Sequence, residues 1–273
     1  MVARADISAA MILRLSLAAS LAGAGAWTPA FAASPRPAPE CRTSAARSDR
    51  IEALGQRGEL ILASGGRAIL SGLRWPEEPD DDAAAASRLL VHRGQAVTLT
   101  ARGDPDRWGR LRVEALIEGE ATDIGAELVA AGYAAVDAGE GDVLCRPALL
   151  QLEQAARAEA RGIWRRPRPA TDDGISLRAR YGRFVVAQGR LVGVGERSAR
   201  TYLDFVRRGQ DGLTVTVSKR TWRHLQERGL SAASLRGRLI RVRGVIDVGR
   251  GPSLDIASAD MIEVLDEERA PRR

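Results

Sequence analysis

Hydrophobic and polar residues alternate over much of this chain, and short glycine-rich turns separate the alternating segments. Residues 59–63 alternate up to a turn signal at 64–66, and residues 67–71 form the return strand of a hairpin. Two more strands are predicted at residues 95–100 and 110–117. This spacing of short strands predicts a small β-rich domain in the first part of the chain.

Three helices are predicted among these strands from their start signals, apolar faces and glycine stops. The first covers residues 82–92, and the second covers residues 123–131 with Asp123 as its cap. The third follows Pro147, which suits a first helical position, and it stops at Gly162. Periodicity therefore predicts strands and helices in one domain over residues 51–164.

A second β-rich region is predicted after a linker. Residues 165–178 form this linker, because the stretch combines prolines and charges without an apolar period. Strands then follow at residues 184–194, 201–206, 213–217, 239–248 and 261–264, with one helix at 219–228. Four or five strands with one inserted helix suggest a second small barrel of the OB type at residues 179–267. The two halves share this plan but no repeated sequence.

The charge balance bears on the kind of partner. The chain has a formal net charge of +6 and a pI of about 10.2. This excess is compatible with a polyanion such as nucleic acid or a membrane surface, and also with an arginine-rich, solvated surface. In the second region, Tyr202, Arg220 and Arg223 mix aromatic and basic side chains, as OB barrels do where they bind nucleic acid. Arg241 and Arg243 alternate with valine, which is typical of any half-exposed strand.

The N-terminus resembles an export signal. An apolar run with a basic flank ends at the small-x-small sequence of residues 30–32, which predicts a signal peptide at 1–32 and a disordered leader at 33–50. No later segment is long and apolar enough to span a membrane. We therefore expect an exported protein, periplasmic or secreted, without a membrane span in its mature chain.

Export also affects how the two cysteines are interpreted. An even pair in an oxidising compartment favours a disulfide between Cys41 and Cys145, whereas two independent thiols are the alternative. The bridge would close a loop of about a hundred residues.

Four motifs carry a family resemblance: Leu-Arg-Trp-Pro-Glu at 73–77, Asp-Arg-Trp-Gly-Arg at 106–110, Leu-Val-Ala-Ala-Gly-Tyr-Ala at 128–134, and the closing Gly-Ile-Trp at 162–164. In this order they resemble the thermonuclease family, whose members are similar to staphylococcal nuclease. The resemblance covers residues 51–164. It implies a mainly β fold with helices, in which an OB-fold barrel precedes the second OB-like barrel.

The resemblance also implies a calcium-assisted phosphodiesterase site, and this chain departs from it. The family's glutamate and second arginine fall on Glu77 and Arg110, which are retained. The first arginine falls on Ile69, and the metal aspartates fall on Gly58 and Arg74. Because Ca²⁺ needs hard oxygen ligands, we expect no metal and no other cofactor here.

Several neighbouring residues offer alternatives. Glu59 follows the lost aspartate, but in a regular strand it would point to the opposite face. Arg110 either contacts phosphate or pairs with a carboxylate, for which Glu77 is the expected partner. Trp108 is expected to pack against its turn, and the acidic residues 80–82 are expected to cap a helix.

The sequence supports three functions. The first is a catalytically degenerate member that binds single-stranded nucleic acid or an envelope protein. The alternative is an active metal-dependent phosphodiesterase that cleaves DNA or RNA, which would need Ca²⁺ from other ligands. The third is an envelope interaction protein without a nucleic-acid role. Whether the chain is an enzyme stays open at this point.

Overall fold

The computed structural model describes residues 38–139, 141 and 143–265. The predicted signal peptide at 1–32 lies outside these residues. Among the described residues, no helix has the length and apolar character needed to cross a membrane.

The described residues form a β-rich fold with short helices. The strands are β1 Arg47–Leu54, β2 Leu60–Leu62, β3 Arg67–Leu70, β4 Leu73–Arg74, β5 Ala96–Ala101, β6 Leu111–Ile117, β7 Ala135–Val136, β8 Phe184–Arg190, β9 Gly193–Glu196, β10 Arg200–Asp204, β11 Thr214–Ser218, β12 Leu239–Asp247, β13 Ser253–Ile256 and β14 Ile262–Val264. The helices are α1 Pro79–Leu90, α2 Ile124–Ala130, α3 Ala148–Ala158, α4 Gly174–Arg178, α5 Lys219–Glu227 and α6 Ala232–Leu235. Short 3₁₀ turns lie at Pro39–Cys41, Gln56–Gly58, Gly162–Arg165 and Ala259–Met261.

The first region is a closed barrel of five strands in the order β1–β2–β3–β6–β5. All its neighbouring strands are antiparallel except β3 and β6, which are parallel. Alternate residues of these strands point inward and are fully buried, among them Ile51, Leu60, Val97 and Val113. The predicted barrel is therefore present, and the helices predicted from capping signals pack around it at α1, α2 and α3.

One strand of this barrel was assigned to the disordered leader at residues 33–50. The structure differs there: Pro39–Cys41 is a helical turn, and β1 begins at Arg47. The backbone of Ser44 also bonds to Ala101 at the end of β5. The outer residues of β1 are charged and exposed, so its sequence lacks an apolar period, and it is ordered by hydrogen bonding to β2 and β5.

Cys41 and Cys145 form the predicted disulfide, with a Cα–Cα distance of 5.2 Å. The bond joins the segment before β1 to the segment before α3, across 104 residues of sequence. It therefore anchors the start of the described chain to the barrel.

The second region is a curled sheet in the order β14–β12–β13–β11–β10–β9, with β8 also paired to β12. The predicted strand at 184–194 is divided into β8 and β9, with only two residues between them. β9 pairs with β10 at one end of the sheet, and β8 pairs with β12 near the other end. Because β8 and β9 follow each other directly in the chain, they connect the two ends of the sheet. The only parallel pair along this path is β11 with β13.

Both regions thus have the same strand order. The comparison counts β8 and β9 as one strand and leaves out β14 and the short pair β4 and β7. The five strands of each region, numbered in chain order, then pair as 1–2–3–5–4 and back to 1. Strands 3 and 5 are parallel in both regions. Helix α1 lies between the third and fourth strands in the first region, and α5 lies there in the second. This is the OB-type plan, and it appears twice without a repeated sequence.

The predicted linker at 165–178 is packed against the second sheet. Ala170 forms a bridge with Gln188 of β8, and the carbonyl of Thr171 accepts a hydrogen bond from the Leu213 backbone at 2.7 Å. Helix α4 follows, with the Asp173 side chain as its cap. The stretch that contains Pro167 and Pro169 forms no helix or strand, but the backbone of Ala170 and Thr171 pairs with the sheet.

A buried ion cluster joins the two regions. Arg243 of β12 and Glu153 of α3 are each 1% exposed, and Nη1 of Arg243 lies 2.8 Å from both carboxylate oxygens of Glu153. Nη2 of Arg243 pairs with Glu263 of β14, and the backbone N–H of Val136 donates to Glu153 at 2.6 Å. The interpretation of Arg243 as part of a half-exposed strand is wrong, because α3 of the first region covers that face of β12.

The arginine next to this cluster stays charged. Burial lowers the pKa of Arg157 to about 10, and the nearby charge of Arg241 adds to this effect. Its Nη1 lies 3.3 Å from Glu153, so the carboxylate has cations on two sides at neutral pH.

Replacing Arg243 with Met should lower the free energy of unfolding by about 3–5 kcal/mol, because Glu153 would stay buried without its main counter-charge. The double variant Arg243→Met with Glu153→Met should recover part of this loss. The matched control is Arg200→Met, which breaks an exposed pair with Asp255 and should cost about 1 kcal/mol or less. Urea unfolding measures all three, and equal losses at Arg243 and Arg200 would contradict the prediction.

Removing the disulfide should also destabilise the protein. In the chain-entropy model, a bridge over about a hundred residues contributes up to about 4–5 kcal/mol. The double variant Cys41→Ser, Cys145→Ser should therefore unfold at lower urea and no longer respond to reductant. Intact mass with and without reductant should differ by two hydrogens in the unmodified protein. Free thiols in the native protein would contradict the bridge.

Candidate functional site

A groove opens on one side of the first barrel, and we call it the Trp108 groove. It lies between the turn before β2, the segment after β3 and the turn before β6. Its walls are formed by Gln56, Arg57, Gly58, Glu59, Arg67, Ile69, Leu70, Leu73, Arg74, Trp75, Glu77, Trp108 and Arg110. The two retained family positions, Glu77 and Arg110, and the three altered ones, Gly58, Ile69 and Arg74, therefore all line one groove.

An indole occupies the place next to the first altered position. Gly58 has φ +71°, and a Cβ built on it would lie 2.2 Å from the ring of Trp75. The indole Nε1 donates to Asp82 of α1 at 2.5 Å, which fixes the ring. A side chain at Gly58 would thus meet both a ring and an unfavourable backbone conformation.

Arg110 is held by its own turn. Its Nε and Nη2 lie 2.8 and 2.7 Å from Oδ2 of Asp106. Oδ1 of Asp106 accepts the backbone N–H groups of Trp108 and Arg110 at 2.9 and 3.0 Å. The expected pairing of Arg110 with Glu77 is wrong, because Glu77 instead pairs with Arg74 at 2.6 Å, three residues away in sequence.

These bonds change the acidity of Asp106. Burial acts to raise the pKa of its carboxyl group. The hydrogen bonds from Arg110 and from the backbone of Arg110 and Trp108 outweigh burial, so the pKa is lowered. The carboxylate is therefore charged whenever the groove is folded at neutral pH.

Glu59 also belongs to the groove. Its carboxylate is almost fully buried, and Oε2 accepts a hydrogen bond from Nη2 of Arg67 at 2.9 Å. Oε1 lies 2.7 Å from the same nitrogen without hydrogen-bond geometry, and 4.0 Å from Nε of Arg110. The expectation that Glu59 points to the opposite face is wrong, because it follows the turn Gln56–Gly58 and precedes β2, so strand alternation does not yet apply.

Trp108 is a site residue that the sequence did not indicate. We expected it to pack against its turn, but the side chain is 56% exposed. The guanidinium carbons of Arg107 and Arg110 lie 4.0 and 4.8 Å from the centre of its ring. These cation–π contacts hold the ring in place, and the ring presents an aromatic surface beside charged groups. The sequence feature that could have indicated this role is a tryptophan in a turn with arginines on both sides, Arg107 and Arg110.

The carboxylates of the groove are committed to arginines. Glu59 pairs with Arg67, Glu77 with Arg74, and Asp106 with Arg110. Within the described residues, no group of three or more His, Cys, Asp or Glu side chains could hold a metal ion together. The donor set fits an anion better than a calcium ion, because cations stand where Ca²⁺ would need free oxygens.

A second groove, the Tyr202 groove, lies on the outer face of β10, β11 and β13. Tyr202 shares it with Arg200 and with the loop arginines Arg207, Arg208 and Arg250. Arg200 pairs with Asp255 across this face at 2.5 Å. Asp204, Asp211, Asp247 and Asp255 line the same groove, so Tyr202 lies among both basic and acidic side chains.

The other two predicted binding residues lie elsewhere. Arg220 and Arg223 are exposed on α5 and do not line the Tyr202 groove. We grouped Arg220 and Arg223 with Tyr202 because they are close in sequence. In the structure they lie on helix α5, which follows β11, and not on the outer face of the strands.

Comparisons with known proteins find one family model that matches part of the chain. The family model described as staphylococcal nuclease homologue matches residues 80–166. A search of curated proteins finds no match to the sequence. Among solved structures, the chain is similar to the extended Tudor domain of Drosophila melanogaster Tudor-SN, with 18% identity and a TM-score of 0.32. That match covers 36% of this chain and 47% of the other, so the chain spans about half the length of that structure.

The Asp106 bonds predict a pH dependence of stability. Because the folded-state pKa lies below the unfolded value, the carboxylate stabilises the fold above about pH 4, and this contribution disappears as the pH falls through the folded value. Asp106→Asn should therefore be less stable than the unmodified protein at pH 7, and the difference should shrink as acid is added. Asp104→Asn, an exposed neighbour in the same turn, is the control. Urea unfolding from pH 7 to pH 3 tests this, and a difference that does not change with pH would contradict it.

Proposed function

We propose that this chain, which carries a staphylococcal-nuclease-like domain at residues 80–166, binds single-stranded nucleic acid and does not hydrolyse it. The family suggests nucleic-acid binding or nuclease chemistry, and the residues of the groove favour the first.

The observation that carries the proposal is the exposed Trp108 ring between two arginines. Aromatic side chains in basic grooves stack bases, and each stacked base contributes about 1–3 kcal/mol. Arg107 and Arg110 flank the ring, and Arg67 and Arg74 stand in the same groove. A base on the ring would thus have guanidinium groups next to its phosphates.

The exposed ring also favours a single strand over a duplex. A tryptophan can stack only on a base whose face is free, and bases in a duplex are already stacked on their neighbours. The phosphate contacts carry no sequence information, so we expect binding to be electrostatic and not sequence-specific.

The absence of hydrolysis is supported by the charges at the family's metal positions. Gly58 has no ligand atom, and Arg74 puts a cation where an aspartate would stand. At contact range and an effective dielectric near 20, repulsion between Arg74 and a divalent cation amounts to several kcal/mol. Glu77, the family's glutamate, is ion-paired with that same arginine.

A second function is favoured by one observation. Glu77 and Arg110 line the same groove, so two residues of the phosphodiesterase pattern are close to each other. An active enzyme would need a metal held by other ligands.

Export is also part of our proposal, and the disulfide between Cys41 and Cys145 supports it because such bonds persist in oxidising compartments.

Binding to an oligothymidylate should depend on salt and on Trp108. Each phosphate contact lowers log affinity by about 0.7 per tenfold rise in salt for single strands. Trp108→Ala should weaken binding by about 1–3 kcal/mol, roughly 5- to 150-fold. The control is Tyr181→Ala, which removes an exposed aromatic side chain that lines neither groove.

Fluorescence anisotropy measures the affinities, and incubation of single-stranded DNA with Ca²⁺, with Mg²⁺ and with EDTA measures hydrolysis. We expect intact DNA in all three. Metal-dependent cleavage that Glu77→Gln abolishes would establish the second function instead. Absence of binding at low salt would refute the proposal and leave the envelope-interaction hypothesis as the leading one.

A further inference from the structure

In both OB-type regions the groove includes residues of the third strand and of the loop between the fourth and fifth strands. In OB folds, the face of strands 2 and 3 and the adjoining loops bind oligonucleotides. In the first region, these are β2, β3 and the turn that carries Trp108. In the second region, they are β10, β11 and the loop between β12 and β13, which carries Arg250. The shared strand order therefore gives each region one such face.

A middle groove connects them, and we define it by its lining residues Arg74, Asp137, Phe184, Arg200, Val245 and Asp255. Arg74 also lines the Trp108 groove. Arg200 and Asp255 also line the Tyr202 groove. The three grooves thus share side chains at both junctions, so they are neighbours along the surface between Trp108 and Tyr202.

The charges along this surface are unequal. At one end, Arg107 contacts the ring of Trp108 and has no ion-pair partner among the described residues. At the other end, Arg207, Arg208 and Arg250 line the groove without an ion-pair partner in the part of the chain that the structure describes. Four aspartates line it too: Asp211 and Asp255 are paired with Arg178 and Arg200, and Asp204 and Asp247 leave a small excess of positive charge there.

The middle groove is close to neutral. Arg74 and Arg200 are ion-paired there, and Asp137 and Asp255 face them across the surface. Burial raises the pKa of Asp137. Phosphates would therefore be attracted at the two ends, while the middle provides a path with little net charge.

We infer that one single strand of nucleic acid runs from the Trp108 groove across the middle groove to the Tyr202 groove, and contacts both OB-type regions at once. This inference rests on the proposed function. The Tyr202 groove then acts as the second half of one binding surface. The linked contacts make the chain selective for strands long enough to reach both ends.

Strand length is the first test. One OB face covers about 4–16 nucleotides, so an oligothymidylate series from about 4 to about 32 nucleotides spans one face to two. Two linked contacts bind about 10²- to 10⁴-fold more tightly than one. The unmodified protein should therefore bind long strands one to one and at least about 100-fold more tightly than short strands.

Variants at each end of the path show which residues give long strands their higher affinity. Trp108→Ala and the double variant Arg207→Ala, Arg208→Ala should each remove most of the roughly 100-fold advantage of long strands. Two independent faces would instead bind two strands per protein, and neither variant would change the length dependence. That result would overturn the continuous path.

A substitution in the middle groove gives the sharpest test. Val245 is exposed on β12 and lines only the middle groove, so Val245→Glu puts a negative charge on the path between the two ends. It should weaken binding of long strands by at least about tenfold and leave short strands unchanged, because like charges repel. The matched control is Val192→Glu, an exposed valine that lines none of the three grooves.

The two proposals fail in different ways. If the unmodified protein bound no single-stranded nucleic acid at all, the proposed function itself would be refuted. Binding that depends on Trp108 but is unaffected by Val245→Glu and by the Arg207, Arg208 variant would overturn the continuous path while the proposed function stands. Circular dichroism and thermal unfolding of each variant confirm that only the exposed surface was changed.

Discussion

The buried ion cluster around Arg243 is the constraint on which the arrangement of the two β-rich regions depends. A guanidinium and a carboxylate that are both removed from water lose most of their hydration, and only close mutual contact offsets that cost. Arg243 meets Glu153 from the other region and Glu263 from its own sheet, so any rotation of one region against the other would leave a buried charge without its partner.

The Trp108 groove shows how a barrel can keep its framework while its charges change. Arg110 and Glu77, which the resemblance assigns to the family's arginine and glutamate, are each bonded to a neighbour, Asp106 or Arg74. An arginine and a carboxylate held in this way neutralise each other. Trp108, which is 56% exposed, adds an apolar surface beside these pairs.

Much of the fold could be predicted from the sequence, because local signals carry it. The hairpin at β2 and β3, the strands β5 and β6 and the helices α1 to α3 follow from alternation, glycine turns and capping residues such as Asp123. Strand β1 could not be predicted, since charged residues occupy its outer face and its order comes from its partner strands. The same reason applies to the site: the partners of Arg110, the burial of Arg243 and the inward position of Glu59 are set by residues distant in sequence or by turn geometry.

The second OB-type region matters to the proposed function because it offers a second place where a strand could be held. A single groove with one exposed ring and a few guanidinium groups binds a strand weakly, since each stacked base contributes about 1–3 kcal/mol and each phosphate contact is screened by salt. A second groove held at a fixed position adds contacts without a further loss of translational freedom, because the strand is already bound at the first. In the path that we propose, the junction at Arg243 and the arginines around Tyr202 have one common physical role. The junction would fix the distance between two weak contacts, and that distance would decide which strands reach both ends.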